Sequence, residues 1–280
     1  MAPEPRIRWL GPIGLTRGDA DRLHARLQRV GARLGGPIGW SLAGILVGTG
    51  PFALLALLQF AIPWGIVVRA AWTLPTALGF GALLVVGSGS GRPLSGCLAL
   101  GAGLFTHCAL AIGLTAAEPA WTAELLADGP AYWTKTLAWV ETGQSPEYEL
   151  WWWVPAHLQL VGVTVLLSYV SLGITTLHEG LYEVGLMNHY VGNLVRTAQD
   201  PVTALLVGWH PWSVARGLGF LAITVEVVDA SLSRLLGRAL STPRERVVRW
   251  AVGLTFVALD GLLKLFFLET VRLAILGSLH

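Results

Sequence analysis

The chain has 280 residues, 54% of them hydrophobic and only 13% charged, with a mean hydropathy of +0.60. A soluble domain carries about 25% charge, so this composition excludes an ordinary soluble enzyme or a nucleic-acid-binding domain, and the formal net charge of +2 is uninformative as a total. Several apolar runs reach the roughly 20 residues that a helix needs to cross a bilayer. They are continuous rather than alternating, which argues against a β-barrel.

The N-terminal stretch lacks the apolar core of a cleaved signal peptide, so the first spanning segment is expected to direct insertion itself. Residues 17–34 have a helical period, with Leu23, Leu27, Val30 and Leu34 on one stripe and Arg22, Arg26, Arg29 and Arg33 on another. Asp19 and Asp21 suit its N-terminus. An apolar face beside an arginine face is the pattern of a helix lying on an anionic membrane surface; the alternative is a helix docked on a partner or on the protein's own body. Basic flanks place the N-terminus in the cytoplasm, and residues 1–39 are expected there as a basic amphipathic segment, with anionic lipids as the partner of its arginines.

Residues 40–117 hold the first transmembrane helices. Trp40–Val68 is broken by "GTGP" at 48–51 and by Pro63, Ala71–Val86 is short, and Leu94–Ala117 is an uninterrupted span. Cys97 and Cys108 both fall in that span, 11 residues apart, roughly 16 Å along a helix and too far for a disulfide. Residues 118–150 form an acidic, tryptophan-rich insert with Glu118, Glu124, Asp128, Glu141, Glu147 and Glu149 against Lys135 alone. Tryptophans gather where membrane meets water, so this is expected to be an amphipathic cap on the non-cytoplasmic face.

Residues 151–280 hold the second group of transmembrane helices: Trp151–Leu177, Val202–Leu236 interrupted by "GWHPWSVARG", and Val247–Leu279, with a polar interfacial stretch at 178–200. The expected fold is an all-α polytopic membrane bundle of five or six spans in an inner (plasma) membrane. Arg238, Arg244, Arg246 and Arg249 should lie on the same side as the N-terminus, which an unbroken count of single crossings does not give. One segment is therefore expected to be re-entrant, with 40–69 and 201–213 as the candidates, since broken backbone at membrane depth is tolerated where it is buried or lines a cavity.

Two groups of residues are candidates for chemistry. Glu226, Asp229, Asp260 and Lys264 fall near the middle of apolar segments, where each charge costs at least roughly 2.5–3.5 kcal/mol and should be paired. Asp260 and Lys264 are one turn apart and can pair within a helix; Lys264 is expected to approach Glu226 or Asp229, and the acid left over should be protonated or meet a base such as Arg216 or Arg272. His178, Glu179, Glu183 and His189 make a polar interfacial group. The two histidines are 11 residues apart, roughly 16 Å on a straight helix, so they do not share a metal ion. "HEGLY" lacks the second histidine of a zinc-protease motif. A haem held by His107 and His157 is a weak option, "GSGSGR" at 87–92 lacks the lysine of a phosphate-binding loop, and no cofactor or catalytic residue is assigned.

Three functions are carried forward from the sequence: an integral subunit of a larger membrane assembly with other membrane chains as partners, a small proton- or cation-coupled transporter or channel, and a membrane-embedded enzyme acting on a lipid or quinone. No nucleic-acid partner is expected.

Overall fold

The computed structural model describes residues 16–58, 73–144 and 150–280. Among them the chain is helical, with no strand. Helix α1 (Arg17–Arg33) begins at a capping box: Thr16 Oγ1 accepts from the Asp19 amide, and the Asp19 carboxylate accepts from the Thr16 amide. These bonds satisfy donors that a helix start leaves open. Arg22, 2.6 Å away, and the Thr16 bonds hold the Asp19 carboxyl down at about 2. After Gly35, at φ +71, the chain turns by 100° into α2 (Pro37–Leu58).

Two further apolar helices, α3 (Leu74–Gly89) and α4 (Pro93–Ala117), pack on α2. Helices α2 and α4 run parallel and touch backbone to backbone. A Cβ on Gly44 would lie 1.8 Å from the Ala99 carbonyl oxygen, and one on Gly48 would lie 2.1 Å from that of Gly103. Small residues four apart on both helices remove the side chains from the seam, which is how helices approach closely in lipid, where apolar burial gives no net drive. His107, fully buried, points its Nδ1 at the Gly48 carbonyl 3.2 Å away.

The insert folds as α5 (Pro119–Leu125) and α6 (Gly129–Thr142). Trp139 of α6 is a core residue beside Tyr190, Trp212 and Ile275 rather than an interfacial one. Helix α7 (Leu150–Ser171) turns into α8 (Ile174–Thr197) through Leu172 and Gly173, both at positive φ. The short α9 (Pro201–Gly208) is followed by a break at Trp209–His210 and then α10 (Pro211–Leu236). Of the two re-entrant candidates, 201–213 is thus an actual interruption, whereas 40–69 runs on past Leu58 outside the described residues, as do Glu147 and Glu149 of the cap. The last helix, α11 (Pro243–Leu279), starts at a second capping box, Thr242 with Glu245.

Among the described residues, three helices are long and apolar enough to cross a membrane: Pro93–Ala117, Trp153–Ser171 and Pro243–Leu279. A fourth is reached only if α1 and Pro37–Pro51 count as one bent span, and Leu74–Gly89 is apolar but short. The arrangement is that of a helical membrane protein, with fewer segments meeting the length and hydropathy criteria than the five or six expected. Helices α8 and α10 fall short because both carry several ionisable residues.

Helix α1 docks part of its apolar stripe on the bundle. Ala20 and Leu27 are buried against Leu232 and Leu236 of α10, and Gly31 lies against Ser90. Arg238 reaches Asp21 at 3.4 Å, and Arg92 donates to the Gly35 carbonyl at 2.9 Å. Part of the amphipathic period therefore reports docking on the protein's own body, while Val30 of the same stripe stays exposed. Arg22, Arg26, Arg29 and Arg33 stay exposed, sharing one end of the bundle with the α3–α4 and α10–α11 turns.

Candidate functional site

The site is built on the antiparallel pair α10–α11. Glycines set their distance: a Cβ on Gly219 would lie 2.9 Å from the Gly253 carbonyl oxygen, so no other residue lets the backbones come this close. With the helices so near, buried charges pair across them at two levels.

At the level nearer the arginine end, Glu226 and Asp229 are buried and meet α11. Arg246 Nε donates to Glu226 Oε1 at 2.7 Å, Arg249 Nε to Glu226 Oε2 at 2.8 Å, and an Arg249 Nη to Asp229 at 3.2 Å. Two acids meet two bases within one chain. The expectation that Lys264 approaches these acids does not hold: α11 rises about 1.5 Å per residue, which puts Lys264 more than twenty ångströms beyond Arg249.

Asp260, with no exposed surface, centres the second level. Arg216 Nε, from the first turns of α10, lies 3.0 Å from its Oδ2. His157 Nε2, from α7, lies 2.8 Å from the same oxygen, and Lys264 Nζ lies 3.4 Å from Oδ1. The pairings are close but poorly aligned; both Asp260 oxygens, Arg216 Nε and His157 Nε2 make no well-formed hydrogen bond among the described residues. Trp153 completes the cluster. Its ring stacks on His157 at 4.3 Å, packs over Gly261, and lies 5.7 Å beneath Lys264 Nζ.

The tautomer of His157 follows from its neighbours. Nδ1 is 2.9 Å from the Trp153 carbonyl oxygen, which only accepts, so Nδ1 carries a proton. Nε2 faces Asp260 Oδ2 at 2.8 Å without a well-formed hydrogen bond, and Arg216 brings a permanent positive charge to the same oxygen.

This cluster forms part of the wall of a cavity of about 700 Å³ between α7, α8 and α10, to which α6 also contributes lining residues. His157, Arg216 and Lys264 reach it together with His210, Trp209 and Trp212. His210 is 3% exposed and sits among aromatic rings, 4.8 Å from Trp212, 5.3 Å from Trp139 and 5.7 Å from Tyr190. Its Nε2 has no hydrogen-bond partner among the described residues. The rest of the wall is mainly apolar, including Phe80, Leu100, Leu160, Leu181 and Phe220. An apolar cavity with a few convergent polar groups is the usual form of a small-molecule site.

The polar interfacial group of α8 is divided by the structure. Glu179 and Glu183 line the cavity from the α8 side and are exposed. His178 bonds Thr73 Oγ1 at 2.5 Å, and His189 is buried toward α5, its Nδ1 3.4 Å from Thr122 Oγ1. Neither histidine lines the cavity, so the four residues do not form one site. His107 and His157 are likewise separated, one in the α2–α4 seam and one on the cavity wall. Among the described residues, no three His, Cys, Asp or Glu side chains are grouped to hold a metal ion.

In the sequence "GWHPW" reads only as part of the interruption of Val202–Leu236, and the structure puts Trp209, His210 and Trp212 on the cavity wall. The available signal was a histidine between two tryptophans directly before a helix-starting proline. No family model matches this chain, and neither a curated protein nor a solved structure matches it.

Proposed function

We propose that this chain is a polytopic membrane protein that takes an amphiphilic, membrane-dissolved molecule into the cavity between α7, α8 and α10. The observation that carries the reading is the cavity itself: about 700 Å³, apolar over most of its wall, with His157, His210, Arg216 and Lys264 among its polar groups. A chain of lipid or isoprenoid type fits the apolar part, and a polar head fits the charged wall.

In this reading α2, α4, α7, α8, α10 and α11 cross the bilayer, with α3 as a further, shorter segment. Helix α8 runs from the Leu172 turn beside Leu232 to Gln199 and Asp200, which bond the Ser278 carbonyl at the other end of α11, and so puts both arginine-rich turns on one face. Helix α10 is admissible because its buried acids and Arg216 are paired. The arginine-rich end faces the cytoplasm of an inner membrane, and the acidic cap lies on the other face. The assembly-subunit reading also draws on small size, the lack of a catalytic motif and an exposed basic helix, and the transporter reading on the broken segments. Only the support from unbalanced intramembrane acids changes, because Arg246 and Arg249 pair with Glu226 and Asp229 within the chain.

The test uses Gly180 and Gly217, which line the cavity and have open space where a Cβ would stand. Leucine at either position fills the cavity without a backbone clash, and removing a mid-helix glycine favours the helix by roughly 0.5–1 kcal/mol. Native mass spectrometry of the gently extracted chain should show a bound molecule in the wild type that Gly217→Leu and Gly180→Leu lose without a fall in unfolding temperature. A molecule held equally by the wild type and both well-folded variants would contradict the proposal.

A further inference from the structure

Resting on the cavity reading, we infer that the polar head of the bound amphiphile carries an anion of the phosphate or carboxylate class, seated against Arg216 and His210. Charge carries the first part of the inference. Asp260, a single carboxylate, meets both Arg216 and His157 at one oxygen and Lys264 at the other, so basic groups outnumber the acid on this wall. An anion is the partner that removes this excess in a low-dielectric setting, where an uncompensated charge is costly.

Hydrogen-bonding capacity carries the second part. Arg216 points Nε toward Asp260, and its planar fork presents further donors of the kind that read phosphate and carboxylate two at a time. His210 Nε2 is buried, has no partner among the described residues, and belongs to a residue on the cavity wall. Buried polar atoms are nearly always satisfied, so a histidine held in an aromatic box with an unused nitrogen is placed to bond what enters. The acids that also line the cavity, Glu179 and Glu183, stand on α8 and restrict the anion to the α10–α11 wall.

The experiment compares ligands that differ only in the anion. The purified chain is exchanged against vesicles containing phosphatidic acid or diacylglycerol with the same acyl chains, and retention is read by native mass spectrometry. The wild type should retain phosphatidic acid at least about tenfold better, the ratio that corresponds to about 1.4 kcal/mol. Arg216→Gln should lose the preference while still retaining diacylglycerol, and Arg216→Lys should recover part of it. Equal retention of the two lipids by the wild type overturns the anion inference and leaves the cavity reading standing; retention of neither overturns the cavity reading itself. If inorganic phosphate alone raises the unfolding temperature of the wild type and not of Arg216→Gln, the anion site is supported and its source is water-soluble. If phosphatidic acid stabilises and inorganic phosphate does not, the source is the lipid head group.

Discussion

Arg249 and Glu226 face each other across the α10–α11 pair at 2.7 Å, the acid almost wholly buried and the base with 17% of its side chain exposed. Removing one partner of a buried pair leaves the other charge uncompensated, at a cost of about 3–5 kcal/mol. Glu226→Ala should therefore lower the unfolding temperature of the detergent-solubilised chain substantially. Glu269→Ala, which removes a 62% exposed carboxylate from Arg272, should change stability by no more than about 1 kcal/mol. Equal effects in thermal unfolding would show that the Glu226 pair is not buried as described.

The α2–α4 seam makes a second prediction. A Cβ at Gly44 or Gly48 meets a carbonyl oxygen at about 2 Å, and backbone cannot yield as a side-chain tip can. Gly44→Ala and Gly48→Ala should each destabilise by about 1–3 kcal/mol. Gly50→Ala, on the same helix with open space around it, should be neutral or slightly stabilising. Chemical or thermal unfolding of the three variants side by side decides this.

Docking of α1 on the bundle predicts an asymmetry between its faces. Leu27→Ala empties a buried position and should cost about 2–3 kcal/mol. Arg26→Gln, on the exposed face, should stay within about 0.5 kcal/mol. If the apolar stripe lay in lipid instead, the leucine variant would leave the unfolding temperature of the solubilised protein nearly unchanged.

Sidedness follows from the same contact. In a background with Cys97 and Cys108 replaced by serine, Arg29→Cys and Arg244→Cys should react with a membrane-impermeant thiol reagent from one face of sealed vesicles. Thr142→Cys, at the end of α6, should react from the opposite face. Labelling of Arg29→Cys and Arg244→Cys from opposite faces would break the topology.

Acid acts on the α1 cap with a definite sign. The folded Asp19 carboxyl is held at about 2, below its ordinary 3.8. Its contribution to the start of α1 is therefore complete above pH 3.8 and fades as pH falls toward 2. Amide exchange in the first turn of α1 should rise across that interval in the wild type. In Asp19→Asn it should be faster at neutral pH and lack the transition.

How much of this was legible in the sequence depended on which interactions act locally. The helical class and the place of Asp19 at the start of α1 follow from hydropathy and short-range spacing. The i,i+4 relation of Asp260 and Lys264 is local too, and the two lie 3.4 Å apart. The partners of Glu226 were not legible: they depend on the antiparallel register of α10 and α11, which Gly219 and Gly253 set through space. For the same reason His157 and Arg216, 59 residues apart in the chain, gave no sign of meeting at one carboxylate. The face of α1 was read correctly as apolar, but periodicity does not distinguish lipid from the protein's own surface.

The most direct test of the cavity is photo-cross-linking with a phospholipid carrying a diazirine midway along its acyl chain, followed by peptide mapping. Leu104, Leu177 and Phe220 line the cavity and keep part of their surface accessible, whereas Leu158, Leu166 and Phe266 are exposed and do not line it. The account predicts label on Leu104, Leu177 and Phe220, reduced in Gly217→Leu. Label confined to outward positions such as Leu158, Leu166 and Phe266 would contradict it.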